Sequence, residues 1–419
     1  MLETPLVQRL RLLRDAAASS GSRAWKGLCD SAYRDVTELC GRPDAVVALT
    51  FYVPPEIPAA LGLIPVGHEF LAAAAAAIPA ARPVLAAAAY DLAPATVTCG
   101  YQRMFWGLIA SGWIPSPRAF LAATLPCDDA WKMFEVAAAR LHRPFQLIEI
   151  PGAPGHASSE ARARAYVARQ LATCAARLGA ATGTRLAPEA VARTVELSNR
   201  ALTALRRVDR LRQERPGILP APQALRYFTL HAKLGTPEAA EVFETLAEEL
   251  NAPTPSGPAG LLAPGAPRKR VLWLGMPPLF MPALTAELEE RYAVSVVYEE
   301  PSAFEGGPLA VKSFFDDLAA RLLAQPGVGP PSRRAAALVR LARRFSADGV
   351  VHFSYPQCRA LLGSAGYVAA ACRRAGIPFA EVTGEVIDPG SHDAGRMCAQ
   401  LEAFMARIGA RLSGRAGGR

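Results

Sequence analysis

Cysteine is scarce in this chain, 8 residues of 419, and the eight are scattered. That excludes a small secreted scaffold, whose cysteines are dense and clustered into disulphides. Lysine is scarcer still, at five residues, so the net charge of +9 is almost wholly arginine and reflects in part an Ala-, Arg- and Pro-rich composition of the kind GC-rich genomes produce. The basic residues are spread along helical stretches with no run of interleaved aromatics, which argues against nucleic acid and suits an anionic small molecule equally well. Long apolar runs are missing too. The longest, Phe70 to Ala81, is twelve residues and mostly alanine, against roughly 20 for a bilayer span. The opening residues MLETPLVQRLRLLRDAAASSGSR have helical apolar spacing and several arginines, but Glu3 and Asp15 speak against a transit peptide. The expectation is a cytoplasmic protein with no membrane partner. No G-x-x-x-x-G-K-[ST] loop occurs, so ATP hydrolysis is not expected in this chain.

What is present is a globular composition, 51% hydrophobic and 20% charged, enough for a sizeable core and for two or three domains at about 150 residues each. The segment Asn251–Pro267, NAPTPSGPAGLLAPGAP, carries five prolines, three glycines and almost no charge, and reads as a linker. Before it, residues 158–250 repeat apolar positions every three and four residues, the period of helices. On either side, short apolar runs alternate with helical stretches, the pattern of parallel sheets with crossover helices. The runs are AVVALTF, AFLAATL and FQLIEI in the first part, and RVLWLG, VSVVYE, GVVHFS and PFAEVT in the last. The fold expected is α/β: two Rossmann-like doubly wound parallel-sheet lobes, residues 1–157 and 268–419, joined by a helical section. No repeat of 20 to 50 residues is evident in the sequence.

Parallel sheets place ligands beyond the carboxyl ends of their strands. Cys127 follows AFLAATLP and opens the helix DDAWKMFEVAAARL; Cys358 follows GVVHFSYPQ; Cys99, in ATVTCGYQRMFW, stands at a similar transition into a helix. Three thiols from two lobes can converge on one cleft, where helix N-termini stabilise thiolate charge, with Asp128 as a plausible cap beside Cys127. Each is equally open to reading as a small buried hydrophobe. Cys29, Cys40, Cys174, Cys372 and Cys398 fall in helical patterns, with neither Cys-x-x-Cys pairs nor zinc-finger spacing.

The order and context of these cysteines resemble the D-component family of 2-hydroxyacyl-CoA dehydratases, which also includes subunits of ATP-dependent benzoyl-CoA reductases. TFYVPPEIPAALGLIPV is similar to the family's proline-acid turn, helix and Leu-Pro-Val strand. CGYQR resembles its first cysteine motif, LPCDDAWKMFE its second, RKRVLWLGMPP the strand opening the second lobe, and ADGVVHFSYPQCRALLG the strand that delivers the third cysteine. The resemblance implies that Cys99, Cys127 and Cys358 ligate one 4Fe-4S cluster, leaving one iron open to an acyl-CoA thioester. It implies one-electron chemistry through a ketyl radical in a dehydratase, or ring reduction in a benzoyl-CoA reductase. The partners implied are a paralogous subunit and an ATP-dependent iron-sulphur activator protein. Glu56, in the proline-acid motif, and Glu69 are the acid/base candidates; Glu56 reads equally as a first-turn helix carboxylate, and Glu69 with His68 as exposed loop residues. Arg103 and Lys132 could meet cluster charge or CoA phosphates, or be ordinary helix residues. His352 could support Cys358 or be a satisfied core histidine. Two further readings stand beside this one: a non-catalytic relay or scaffold partner of a paralogue, and a structural zinc site of the same cysteines with His352. The chain departs from the family at TGEVIDP, where Thr383 and Glu385 replace a common Glu-x-Asp pair, and in the alanines after Phe70. Both departures bear on which substrate is used.

Overall fold

The computed structural model describes residues 3–91, 98–151, 157–252 and 268–410. From residue 253 on, the expected Pro/Gly-rich linker lies outside them. The first lobe contains α1 (Pro5–Ala18), α2 (Arg23–Gly41), β1 (Val46–Leu49), α3 (Glu56–Ala60), β2 (Ile64–Gly67), α4 (His68–Ala76), α5 (Arg82–Asp91), α6 (Gly100–Ala110), β3 (Ala119–Ala123), α7 (Asp128–Leu141) and β4 (Phe145–Ile148). Four helices follow: α8 (Ala157–Thr182), α9 (Pro188–Glu214), α10 (Ala221–Tyr227) and α11 (Pro237–Asn251). The second lobe contains β5 (Lys269–Leu274), α12 (Leu284–Arg291), β6 (Val294–Glu299), α13 (Phe314–Ala324), α14 (Pro331–Arg344), β7 (Gly349–Ser354), α15 (Arg359–Arg374), β8 (Phe379–Thr383) and α16 (Ala394–Arg407).

Both lobes are four-stranded all-parallel sheets, ordered β2-β1-β3-β4 and β6-β5-β7-β8. The second lobe therefore repeats the strand order of the first, a duplication in space that the sequence does not display. Parallel strands need crossover helices on both faces, and alternate residues of each strand serve different cores. Val46, Ala48, Phe120 and Ala122 join Trp273, Val351 and Phe353 in one core lying between the lobes. Val47, Leu49, Ala119 and Leu121 face the opposite way, and Leu272 and Val350 do so in the second sheet. The outer core of the first sheet is completed from far along the chain, since Leu309, Phe314, Leu318, Leu322 and Val328 pack into it with α8. Among the described residues no single helix is long and apolar enough to cross a membrane.

Candidate functional site

In each sheet the strand order reverses between the first and third strands, which is where ligands of such sheets bind. β3 ends at Ala123 and Cys127 caps α7; β7 ends at Ser354 and Cys358 caps α15. The two cysteines therefore stand at matching positions in the duplicated lobes, each four residues beyond its strand. The third, Cys99, caps α6 within the crossover from β2 to β3.

Contacts between neighbours of these cysteines bring the three caps together. Arg359, next to Cys358, donates from Nε to Oδ2 of Asp128, next to Cys127, at 2.7 Å. The backbone N–H of Cys99 donates to Asp129 Oδ2 at 2.8 Å. Arg103, the fourth residue of α6, donates from both terminal nitrogens to Asp388 Oδ2 at 3.1 Å, joining α6 to the loop after β8. The approach is so close at Gly100 that a Cβ there would stand 2.8 Å from Glu385 Oε1 and 2.8 Å from Ile387 Cβ.

The thiols feel one another. Burial, then Cys127 and Cys358, push Cys99 well above the ordinary thiol range. Burial and Cys358 push Cys127 up to about 12. Against this, Ala130 N–H donates to Cys127 Sγ at 3.4 Å, and Cys358, raised by burial, is drawn back down in part by the neighbouring Leu361 and Ala360 N–H groups and the Tyr355 hydroxyl. The converging helix N-termini and the N–H donor at Cys127 suit thiolate ligands, and such donors also tune the potential of iron-sulphur centres. Among the described residues no three His, Cys, Asp or Glu side chains close around the position of a single metal ion. His352 is also absent from the group.

Tyr101, Tyr355 and Glu385 complete the surroundings of the thiols, and residue-by-residue reading had not assigned them to the site. Tyr101 is 7% exposed and its hydroxyl, raised by burial, responds to Cys99, Glu69, Glu385 and Cys358 together. Tyr355 responds to all three thiols. Glu385 accepts from the N–H groups of Val386 and Ile387 through Oε1, at 2.9 and 3.1 Å, while its buried Oε2 has no hydrogen-bond partner. The available signal for the tyrosines was their place two residues after Cys99 and three before Cys358.

The remaining expected residues divide. Glu69 is not in an exposed loop but in the first turn of α4, where Oε1 accepts from Phe51 N–H at 3.0 Å and Oε2 lies 2.9 Å from His68 Nδ1. It lines two cavities, of about 60 and 210 Å³. His68 is buried, with Nδ1 on the Leu49 carbonyl and Nε2 on Gln102; burial would lower its pKa, but Glu69 and these partners raise it. Glu56 also faces the smaller cavity, but its buried carboxylate is tied to the Ser198 hydroxyl at 2.7 Å and Arg321 Nη1 at 3.0 Å. Arg103 is buried in its pair with Asp388. Lys132 is half exposed, 3.5 Å from Asp128 and 5.5 Å from the centre of the Trp131 ring. His352, on the sheet face opposite Phe353, lies between Arg334 Nη1 at 3.2 Å and Ser354 Oγ at 2.8 Å. Burial, then Arg334, lowers its pKa to about 4. Both of its ring nitrogens are engaged, as in a satisfied core histidine, although its partner Arg334 is also a charge that Cys358 feels. The other five cysteines lie in α2, α8, α15 and α16 as expected.

A matching pair of parallel-sheet lobes with cysteine-capped helices meeting between them defines a two-lobed α/β fold, with its candidate site at the lobe junction. Residues 50–408 match the family model described as 2-hydroxyglutaryl-CoA dehydratase, D-component, and the chain belongs to that family. No curated protein matches it.

Proposed function

We propose that this dehydratase-type component is an iron-sulphur subunit that binds an acyl-CoA thioester where Cys99, Cys127 and Cys358 meet, acting with a paralogous subunit and an ATP-dependent activator that delivers electrons. One observation carries the reading: three cysteines, each capping a helix and drawn from both lobes, approach one another through the Arg359–Asp128 and Cys99–Asp129 contacts. The donor set fits a 4Fe-4S cluster, since thiolates are its ligands and the Ala130 N–H already points at the Cys127 sulphur. When bound, such a cluster supplies a Lewis-acidic iron and single electrons. The chain's own residues then have assignable work. Tyr101 and Glu69 form the wall between the thiols and the larger cavity and can hold a proton facing the acyl group. Tyr355, beside Cys358, favours its thiolate, and the Arg103–Asp388 pair holds the second lobe against α6. Burial around the thiols excludes water from the reacting atoms.

The test is anaerobic purification followed by iron and sulphide analysis and electron paramagnetic resonance. About four irons per chain are expected for such a cluster, with loss of the signal in Cys127→Ser and retention in Cys174→Ser. A colourless, iron-free protein from strictly anaerobic preparation would sink the reading.

A further inference from the structure

The two lobes match in strand order but not in charge. α7, which follows β3, carries Asp128, Asp129 and Glu135 against Lys132 and Arg140. α15, which follows β7 at the matching place, and α14, packed beside it, hold eight arginines between them and not one aspartate or glutamate. Seven of the eight are exposed, and the eighth, Arg334, is buried against Glu300. Arg359 is paired with Asp128, whereas Arg340, Arg343, Arg373 and Arg374 meet no carboxylate among the described residues. A face of one sign repels itself in the free protein and gains when an opposite charge covers it.

Between α14 and α15 runs a shallow groove of about 370 Å³. Ala336, Arg340 and Arg343 line it from one helix and Tyr367, Ala371 and Arg374 from the other, each trio spaced i, i+4 and i+7 and therefore on one helix face. The alanines make its floor apolar, the arginines supply its charge, and Tyr367 stands 54% exposed. An apolar floor with tyrosine and arginine is the composition of a protein interface; a nucleic-acid backbone would pair with the arginines and leave the alanines uncovered. A second copy of this chain, itself at +9, would bring like charge to like. An amphipathic helix with apolar residues on one face and acids along its flanks satisfies both features. We propose that the α14–α15 groove is a docking surface for such an acidic helix on a partner protein. α15 begins at Cys358 and Tyr367 lies nine residues on, about 14 Å along the axis, so the docked protein stands beside the lobe junction. The surface rests on charge and shape and is independent of what the three cysteines hold.

The test is calorimetric titration of the full-length, anaerobically purified protein with an amphipathic peptide of 16 residues, the length of α15, carrying leucine at i, i+4 and i+7 and glutamate on both flanks. It should bind at least about tenfold tighter than a scrambled peptide of the same composition, because only the first aligns its leucines with the groove floor. Its Kd should rise at least about tenfold as salt goes from about 0.01 to about 0.1 M and the screening length falls from about 30 to about 10 Å. Arg340→Gln/Arg343→Gln/Arg374→Gln should weaken it at least about tenfold, and Arg343→Gln alone about threefold if the triple variant fails to fold. Tyr367→Ser should weaken it at least about threefold. The same charge change at Arg162, Arg169 and Arg177, exposed on α8, should leave it within about twofold. Absence of binding would overturn the inference outright. Equal binding of the scrambled peptide, or equal loss in the α8 variant, would overturn it in favour of unspecific charge attraction. Tighter binding of duplex DNA or of phosphatidylserine vesicles, lost in the same triple variant, would overturn it in favour of a phosphate-bearing partner.

Discussion

The buried ion pair of Glu56 with Arg321 offers the sharpest test of how this fold is held, because sequence resemblance makes Glu56 an acid/base while geometry makes it a strut. The two side chains are 2% and 4% exposed. Arg321 also donates to Ser198 Oγ at 2.7 Å, Asn199 Oδ1 at 3.2 Å and the Gly307 carbonyl at 2.7 Å, so α3, α9 and α13 share one network. Removing one member of a buried pair costs about 3–5 kcal/mol, whereas replacing both with uncharged groups is often close to neutral. Arg321→Met is therefore expected to lose about 3–5 kcal/mol at pH 8, and Glu56→Gln/Arg321→Met to recover most of that loss. Burial already holds the Glu56 carboxyl above its ordinary range despite Arg321, and without the guanidinium it rises further. A group raised in the folded state contributes its full stability below its unfolded value, near 4.5, and loses it as pH rises through the folded value. The gap between Arg321→Met and the parent should consequently narrow toward pH 5 and widen toward pH 8. Urea unfolding followed by circular dichroism at both pH values measures it. A gap below about 1 kcal/mol at pH 8, or a double variant as unstable as the two single losses combined, would refute the strut.

Two other outcomes follow from buried groups in the lobes. Glu289 on α12 is 1% exposed, accepts from Val296 N–H at 2.9 Å, and is pushed by burial up to about 8; its contribution is complete below about pH 4.5 and lost as pH rises through 8. Denaturant titrations from pH 5 to 9 should show the parent losing roughly 3–5 kcal/mol more than Glu289→Gln over that range, and parallel curves would discard the assignment. Gly100→Ala must displace Glu385 and Ile387, both 2.8 Å from the added methyl, and should lower stability by about 1–3 kcal/mol. Gly363→Ala, in α15 with nothing within 4 Å, should raise it by about 0.5–1 kcal/mol, as thermal unfolding of the two variants side by side would show.

The parts of this molecule that sequence exposes are those written locally. Seven of the eight strands coincide with short, mainly apolar runs; β1, β3 and β7 are buried along their whole length and need no polar alternation, whereas the edge strands β4 and β8 carry Gln146 and the exposed Glu381. The eighth, β2, is four residues with a proline in it, IPVG, and was visible only through the family motif containing it. The cysteines were legible as residues that follow strands and open helices. Partners were not: Arg103 meets Asp388 and Glu56 meets Arg321 across most of the chain, and nothing in local composition records such a pairing. His352 shows the same limit from the other side. Its place in GVVHFS puts it close to Cys358 in sequence, but strand alternation turns it to the opposite face, toward Arg334.

The outer core of the first sheet, completed by Leu309 through Val328, also sets a schedule. A chain emerging from the ribosome makes β1 and β3 long before α13 exists, and at 5–20 residues per second the wait is roughly tens of seconds. During that interval one apolar face of the first sheet has only part of its cover, the kind of long-range closure that slows folding and exposes sheet surface to aggregation. A protein made of two matching lobes is thus not made of two successive folding events: the first lobe is sealed by the second, and a fragment ending at the linker would carry an open face where α13 belongs.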